Sequence, residues 1–255
     1  MPVRDSYPDG APCWSDLTCA DPLGAQDFYG PIMGWEFQEL GPAYDGYTMC
    51  LLDGRPAAAL MRPPAGAERL PSAWNVYLAT SELASVLDRV TRAGGTAVLG
   101  PHQVPGAGLL AFAFDPAGAA FGLWQAGGHH GAAVYGEPGA VCWHELTTPE
   151  ADGSDAFFAE LFPYQQKQVG DGRAVDYTEW SLPGSAGLPV CGRSRAAVPQ
   201  PHWATYFAVP EADHAADQVR GLGGRVLRDP FDSPYGRMVP CTDPGGARVT
   251  FCQLP

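Results

Sequence analysis

Lysine is nearly missing from this chain. Lys167 is the only lysine among 15 basic residues, which face 28 acidic ones, and the formal net charge is −13. Such a surface repels phosphate backbones and anionic lipid, so nucleic acid and membrane surfaces are excluded as expected partners. Paired-cysteine motifs are missing too. The seven cysteines (Cys13, Cys19, Cys50, Cys142, Cys191, Cys241 and Cys252) are odd in number and contain no CxxC, which predicts small buried hydrophobes in a reducing compartment. The opening MPVRDSYPDGAP has no apolar core of a signal peptide, and no apolar run approaches the ~20 residues of a membrane span. A cytoplasmic location is expected. Gly106-Ala107-Gly108 lacks the strand–loop–helix setting of a phosphate cradle, no nucleophile elbow is present, and Cys191 has no histidine partner in sequence.

What is present is a duplication. Trp14 and Trp143 are 129 residues apart, as are Leu17 and Leu146, Phe28 and Phe157, and Trp74 and Trp203. Gly94-Gly95 matches Gly223-Gly224 in the same register. The offset then drops to 128 for Asp115-Pro116 against Asp243-Pro244, Gly118 against Gly246, and Gln125 against Gln253. One deletion explains the change. A register held over ~125 residues points to two modules: residues 1–126, a linker over 127–139 rich in glycine and alanine, and residues 140–255.

Within each module the pattern predicts two βαβββ units, four in all. Cys13–Cys19 reads as a strand. Asp21-Pro22 supplies an N-cap and a first-turn proline for a helix that runs to Met33 and stops at Gly34. Strands are expected at Trp35–Leu40, Tyr47–Leu52 and Arg55–Met61, before the proline-rich stretch 63–71. The second unit begins at Trp74–Ala79. Ser81 then caps a helix whose stripe is Leu83, Val86, Leu87 and Val90, and strands follow at Thr96–Leu99, Leu110–Asp115 and Gly118–Gln125. The second module repeats the plan, with a strand at Val141–Thr148, a helix at Ser154–Phe162 and an irregular stretch at Pro183–Pro201. A strand at Trp203–Val209, a helix at Glu211–Leu222 and closing strands near Val226, Met238 and Val249–Gln253 complete it.

Trp14-Ser15-Asp16-Leu17 and Trp143-His144-Glu145-Leu146 in the first strands, Ala93-Gly94-Gly95 after the helix, and the closing Asp115-Pro116-Ala117-Gly118 and Asp243-Pro244-Gly245-Gly246 carry a family likeness. With these motifs the chain resembles the vicinal oxygen chelate superfamily of glyoxalases, extradiol dioxygenases and bleomycin-resistance proteins, over nearly its whole length. The resemblance implies an α+β fold of tandem βαβββ modules whose curled mixed sheets form half-open barrels, each offering a concave face. The units could pair in sequential or swapped order. It also implies a divalent metal held from the first strand and from the last strand, four residues after the turn glycine. Here those places fall on Trp14 and Trp143, and on Gly122 and Thr250. Asn75 and Ala204 stand where a further ligand would come. An indole cannot coordinate, glycine has no side chain, and threonine and asparagine are poor ligands for such metals. No metal and no cofactor are expected.

If Trp14 and Trp143 face the concavity, period two sends Asp16, Thr18, Glu145 and Thr147 the same way. Asn75, Tyr77 and Trp124 would line the first face, and Tyr206, with His202 near it, the second. By the same parity His144 faces away, while His129-His130 belongs to the linker and is expected in solvent. An aromatic concavity with a few acids and amides suits a flat, conjugated or hydrophobic ligand. The ligand-binding candidates are therefore Trp14, Asp16, Asn75, Tyr77, Trp124, Trp143, Glu145 and Tyr206. The reading is a metal-independent protein that sequesters or carries such a compound, as a monomer or weak homodimer. Alanine, glycine, proline and arginine in place of lysine suggest a GC-rich coding genome, as in antibiotic-producing actinomycetes. A polyketide or anthracycline-like natural product, in self-resistance or biosynthesis, is the ligand class that follows. The alternative is a metal-independent lyase, isomerase or cyclase with Asp16 or Glu145 as general base.

Overall fold

The structure is a computed structural model that describes residues 4–64, 66 and 71–255; most of the proline-rich stretch lies outside the described residues. The first unit runs β1 (Pro12–Thr18), α1 (Pro22–Met33), β2 (Glu36–Glu39), β3 (Thr48–Leu52) and β4 (Arg55–Met61). The second runs β5 (Ala73–Ala79), α2 (Leu83–Arg92), β6 (Thr96–Val104), β7 (Gly108–Phe114) and β8 (Ala120–Ala126). Next come β9 (Val141–Thr148), α3 (Ala151–Leu161), β10 (Gln165–Val169), β11 (Tyr177–Ser181) and β12 (Pro189–Arg195). The chain closes with β13 (His202–Ala208), α4 (Ala212–Gly221), β14 (Arg225–Val226), β15 (Phe231–Ser233), β16 (Gly236–Thr242) and β17 (Arg248–Gln253). These are four βαβββ units, the fourth with its second strand in two pieces.

The ends of α1 follow from local chemistry. The Asp21 side chain accepts from the Gly24 N–H, Pro22 opens the first turn, and Gly34 ends the helix in the left-handed region at φ 69°. Three expectations are corrected. The α2 cap is Glu82, not Ser81: Thr80 Oγ1 accepts the Glu82 N–H, while Ser81 is bound to Asp9. Helix α3 starts at Ala151, so Ser154 sits inside it. The supposedly irregular stretch 183–201 contains β12, which is parallel to β9 and antiparallel to β11.

The strands form two curled mixed sheets. The first has eight strands in the order β2-β3-β4-β1-β5-β8-β7-β6. The second has nine, ordered β10-β11-β12-β9-β13-β17-β16-β14, with β15 on β16. The antiparallel pairs β1–β5 and β9–β13 join sequential units at the centre of each sheet. Neither sheet closes into a barrel, but residues from opposite sides of each meet across the concave face. Tyr44 OH donates to the Pro105 carbonyl at 3.0 Å, and Tyr235 OH reaches Glu179 at 3.5 Å.

Pairing in the core follows a different order from pairing in the sheets. Helix α1 packs on α4, and α2 on α3. One core therefore joins Leu17, Phe28, Trp35 and Trp74 to Phe207, Val219 and Phe251, with the Trp74 and Phe207 rings 4.9 Å apart. The other joins Val76, Val86 and Phe121 to Leu146, Phe158, Trp180 and Trp203, with Phe121 and Phe158 at 5.2 Å. The aspartates of both Asp-Pro-x-Gly turns extend this exchange. Tyr29 of α1 donates to Asp243, and Ser154 of α3 donates to Asp115. Units one and four thus share a core, as do units two and three. All seven cysteine thiols are free and six are buried. Among the described residues no helix is long and apolar enough to cross a membrane.

Candidate functional site

Burying the helices between the sheets leaves each concave face free. On the first, Trp14 pairs with Tyr77 across β1–β5, and Tyr77 with Gly122 across β5–β8. Gly122 matters because it has no side chain. The Tyr77 ring lies where a Cβ on Gly122 would stand, so that ring is pressed flat on the sheet. Trp14, Asp16, Tyr47, Tyr77, Phe112, Trp124 and His129 contribute to the wall of a cavity of about 1070 Å³, with Met49, Val104 and Leu110 adding apolar surface. A smaller hollow of about 430 Å³ near Pro31, Val209 and His214 brings none of the candidate residues together.

One carboxylate lies under the aromatic wall. Asp16 is 2% exposed and receives Asn75 Nδ2 at 2.7 Å, Tyr77 OH at 2.8 Å and Tyr47 OH at 3.0 Å. Tyr47 OH in turn accepts from Trp14 Nε1 at 2.8 Å. An indole, a phenol, a carboxylate and a second phenol thus form one chain of hydrogen bonds. Burial pushes the Asp16 carboxyl up to about 6, although all three donors pull it down. Asn75 also donates to Thr18 Oγ1 and stands behind Asp16 rather than in the cavity wall.

The second sheet repeats the arrangement. Trp143 pairs with Tyr206, and Tyr206 with Thr250. Trp143 Nε1 donates to Tyr177 OH at 2.7 Å. Burial pushes Glu145 up to about 7, against hydrogen bonds from Thr147, Tyr206 and Tyr177. Trp14, Asp16, Tyr77 and Trp124 therefore meet in one cavity, whereas Trp143, Glu145 and Tyr206 meet on the other face. His144 points away from both faces and is buried.

Two readings need amendment. His129 is not in solvent. Its ring is edge-on to Trp14 at 4.5 Å and to Trp124 at 5.8 Å, and its carbonyl accepts from Trp124 Nε1 at 2.9 Å. Burial lowers its pKa to about 4, so the ring is neutral at pH 7. Part of the linker is thus part of the cavity wall. Tyr47 and Tyr177, the central links of the two chains, were not among the candidates. Their signal is a tyrosine repeated 130 residues apart, one step outside the 129 register.

The metal expected of such a fold does not fit these residues. The cross-strand rows Trp14–Tyr77–Gly122 and Trp143–Tyr206–Thr250 offer indoles, phenols, a missing side chain and a hydroxyl. Trp14 Nε1 is committed as a donor, and the Tyr77 ring fills the space beside Gly122. Among the described residues no group of three His, Cys, Asp or Glu side chains converges.

Comparison with known proteins agrees with the fold. Residues 126–251 match the sequence profile described as the Glyoxalase/Bleomycin resistance protein/Dioxygenase superfamily. CFP32, a Mycobacterium tuberculosis protein with glyoxylase in its name, is 34% identical over 252 residues, covering 97% of this chain and 96% of that protein. The anthracycline biosynthesis protein DnrV of Streptomyces peucetius is 33% identical over 264 residues, covering 97% and 94%. The Mn(II)-bound glyoxalase of Novosphingobium aromaticivorans superposes with a TM-score of 0.67 at 16% identity, covering 96% of this chain and 82% of that one.

Proposed function

The chain belongs to the glyoxalase/bleomycin resistance protein/dioxygenase superfamily, and on that premise we propose that it is a metal-independent binding protein for a polycyclic aromatic natural product. The observation that carries this reading is the first cavity. Its volume of about 1070 Å³ is near the upper end of the several hundred to roughly 1000 Å³ usual for small-molecule sites, enough for several fused rings. Indole, phenol and phenyl groups from four strands and from Tyr47 just before β3, with the His129 ring of the linker, supply stacking and edge contacts of ~0.5–1.5 kcal/mol each beyond area burial. The anthracycline biosynthesis relative supports a polyketide-derived ligand, in self-resistance or biosynthesis.

Binding is favoured over chemistry because Asp16 is already occupied. A general base must be free to take the proton it reaches, and the Asp16 oxygens, though at the cavity wall, already accept from two phenols and an amide. The enzyme reading keeps one supporting observation: Asp16 near 6 and Glu145 near 7 lie in the range of a working base. In that version Tyr77 would relay a proton to Asp16 in a lyase, isomerase or cyclase step.

The test is a titration of tryptophan fluorescence with an anthraquinone, followed by mass analysis of the recovered compound. Saturable quenching that disappears in Trp14→Phe, with the compound returned unchanged, supports a carrier. Conversion of the compound that stops in Asp16→Asn moves the assignment to the enzyme. Absence of saturable binding defeats both.

A further inference from the structure

The second concave face carries the matching quartet in a more open and more acidic setting. Trp14, Asp16 and Tyr77 are at most 5% exposed, whereas their counterparts Trp143, Glu145 and Tyr206 are half-buried; Tyr47 and Tyr177 are half-buried on both faces. Two replacements account for this. Cys252 stands at the place of Trp124, removing an indole from the wall. Ala204 stands at the place of Asn75, so Glu145 loses the amide that holds Asp16.

A second acid joins it. Glu145 pairs with Gly192 across β9–β12, and Gly192 with Glu179 across β12–β11, so the two glutamates share one cross-strand row. Gly192 makes room between them, and the Tyr177 phenol occupies that space. Glu179 is met by Lys167 at 3.6 Å, a side chain 79% exposed, and by Tyr235 OH at 3.5 Å. Tyr235 comes from the β15–β16 turn on the opposite side of the sheet, so this contact spans the mouth of the face and makes it a cup.

We propose that this cup is a second binding site, selective for a small organic cation such as a substituted ammonium. Glu179 is answered by one exposed ammonium, and Glu145 has no cationic partner in a hydrogen bond or ion pair, so its charge stands uncompensated when it ionises, which a bound cation would favour. Trp143, Tyr177, Tyr206 and Tyr235 place four electron-rich rings beside these carboxylates, the kind of group that attracts a cation, an interaction strengthened where water is partly excluded. Glu145 keeps acceptor capacity for an N–H, since its one close side-chain donor outside the phenols is Thr147 at 3.3 Å. The proposal is independent of what the first cavity binds.

Benzyltrimethylammonium, titrated against the full chain with tryptophan fluorescence as readout, tests it. Its neutral isostere neopentylbenzene is the control. A saturable response at least tenfold tighter for the cation is expected. It should vanish in Trp143→Phe and persist in Trp14→Phe. Glu179→Gln, which keeps the size of a side chain 18% exposed, should weaken it at least fivefold, and Lys167→Gln should tighten it. Equal affinity for the neutral isostere, a response that follows Trp14, indifference to Glu179→Gln or no saturable response overturns the proposal. An anthraquinone that fails to bind while the cation response stands would remove the function proposed for the first cavity alone.

Discussion

Ser15 Oγ lies 2.8 Å from His144 Nε2, and the two residues hold the same position in the two repeats. Equivalent positions meet only on the pseudo-twofold axis that relates the repeats, so the Ser15 side chain of β1 and the His144 side chain of β9 meet there. Both side chains are buried, at 1% and 3% exposure. Duplication would first have placed two identical side chains on the axis. Divergence into a hydroxyl and an imidazole made a complementary pair.

That pair predicts a pH effect of definite sign. Burial lowers His144 from its ordinary 6.5 to about 3, so the folded protein holds it neutral. A depressed folded value gives stability that is present above 6.5 and lost as pH falls towards 3. The loss should approach 1.4 kcal/mol per pH unit within that window. Denaturant unfolding at pH 7, 5.5 and 4.5 should show His144→Phe losing less stability on acidification than the parent protein, the difference approaching this slope. Ser15→Ala should cost about 1–3 kcal/mol at pH 7, because Nδ1 already has no partner and Nε2 would lose its own.

Asp16 acts in the opposite direction. Its folded value, raised from 3.8 to about 6, stabilises below 4 and loses that contribution as pH rises through 6. Asp16→Asn should therefore gain on the parent protein between pH 4 and pH 7, by about 3 kcal/mol at most, two pH units of linkage. The same unfolding series measures it, and a parallel pair of curves would contradict the assignment.

Tyr47→Phe should leave Trp14 Nε1 without its acceptor, at a cost of about 1–3 kcal/mol, and weaken anthraquinone binding. Gly122→Val tests the same wall by volume. Its side chain runs into the Tyr77 ring, so binding should fall together with a stability loss of about 1–3 kcal/mol. Both are read by the fluorescence titration and by thermal unfolding.

Dialysis against a chelator should leave the melting temperature and anthraquinone affinity unchanged, since the cross-strand rows present no ligand set. Mass spectrometry of protein purified without chelator checks this directly. One bound divalent ion per chain would contradict the donor argument.

The shared cores make a prediction about fragments. Residues 1–126 expressed alone would expose the faces of α1 and α2 that pack on α4 and α3. Such a fragment is expected to self-associate or aggregate, and to become soluble and monodisperse when co-expressed with residues 140–255. Size-exclusion chromatography separates the outcomes.

Much of the fold was legible in local pattern. The ends of α1 come from Asp21, Pro22 and Gly34, and both Asp-Pro-x-Gly turns are made by an aspartate that accepts the amide four residues on. Strands β10, β11 and β12 all lie outside the expected elements. Gln165–Val169 is polar and mostly exposed, and its extended form depends on pairing with β11 rather than on burial. His129 looked like solvated linker because nothing in its neighbours along the chain shows that Trp14 stands beside it.

The amino-acid order alone determined the duplication, the four units, and the strand parity that turns Trp14 and Asp16 to one side and Ser15 to the other. These are properties of spacing, and spacing is written in the chain. Tertiary structure alone decided that units one and four share a core, that Tyr47 links indole to carboxylate, and that the first face is enclosed while the second stays open. Those contacts join residues 31 to more than 200 positions apart, and only the packing of helices between two sheets brings them within reach.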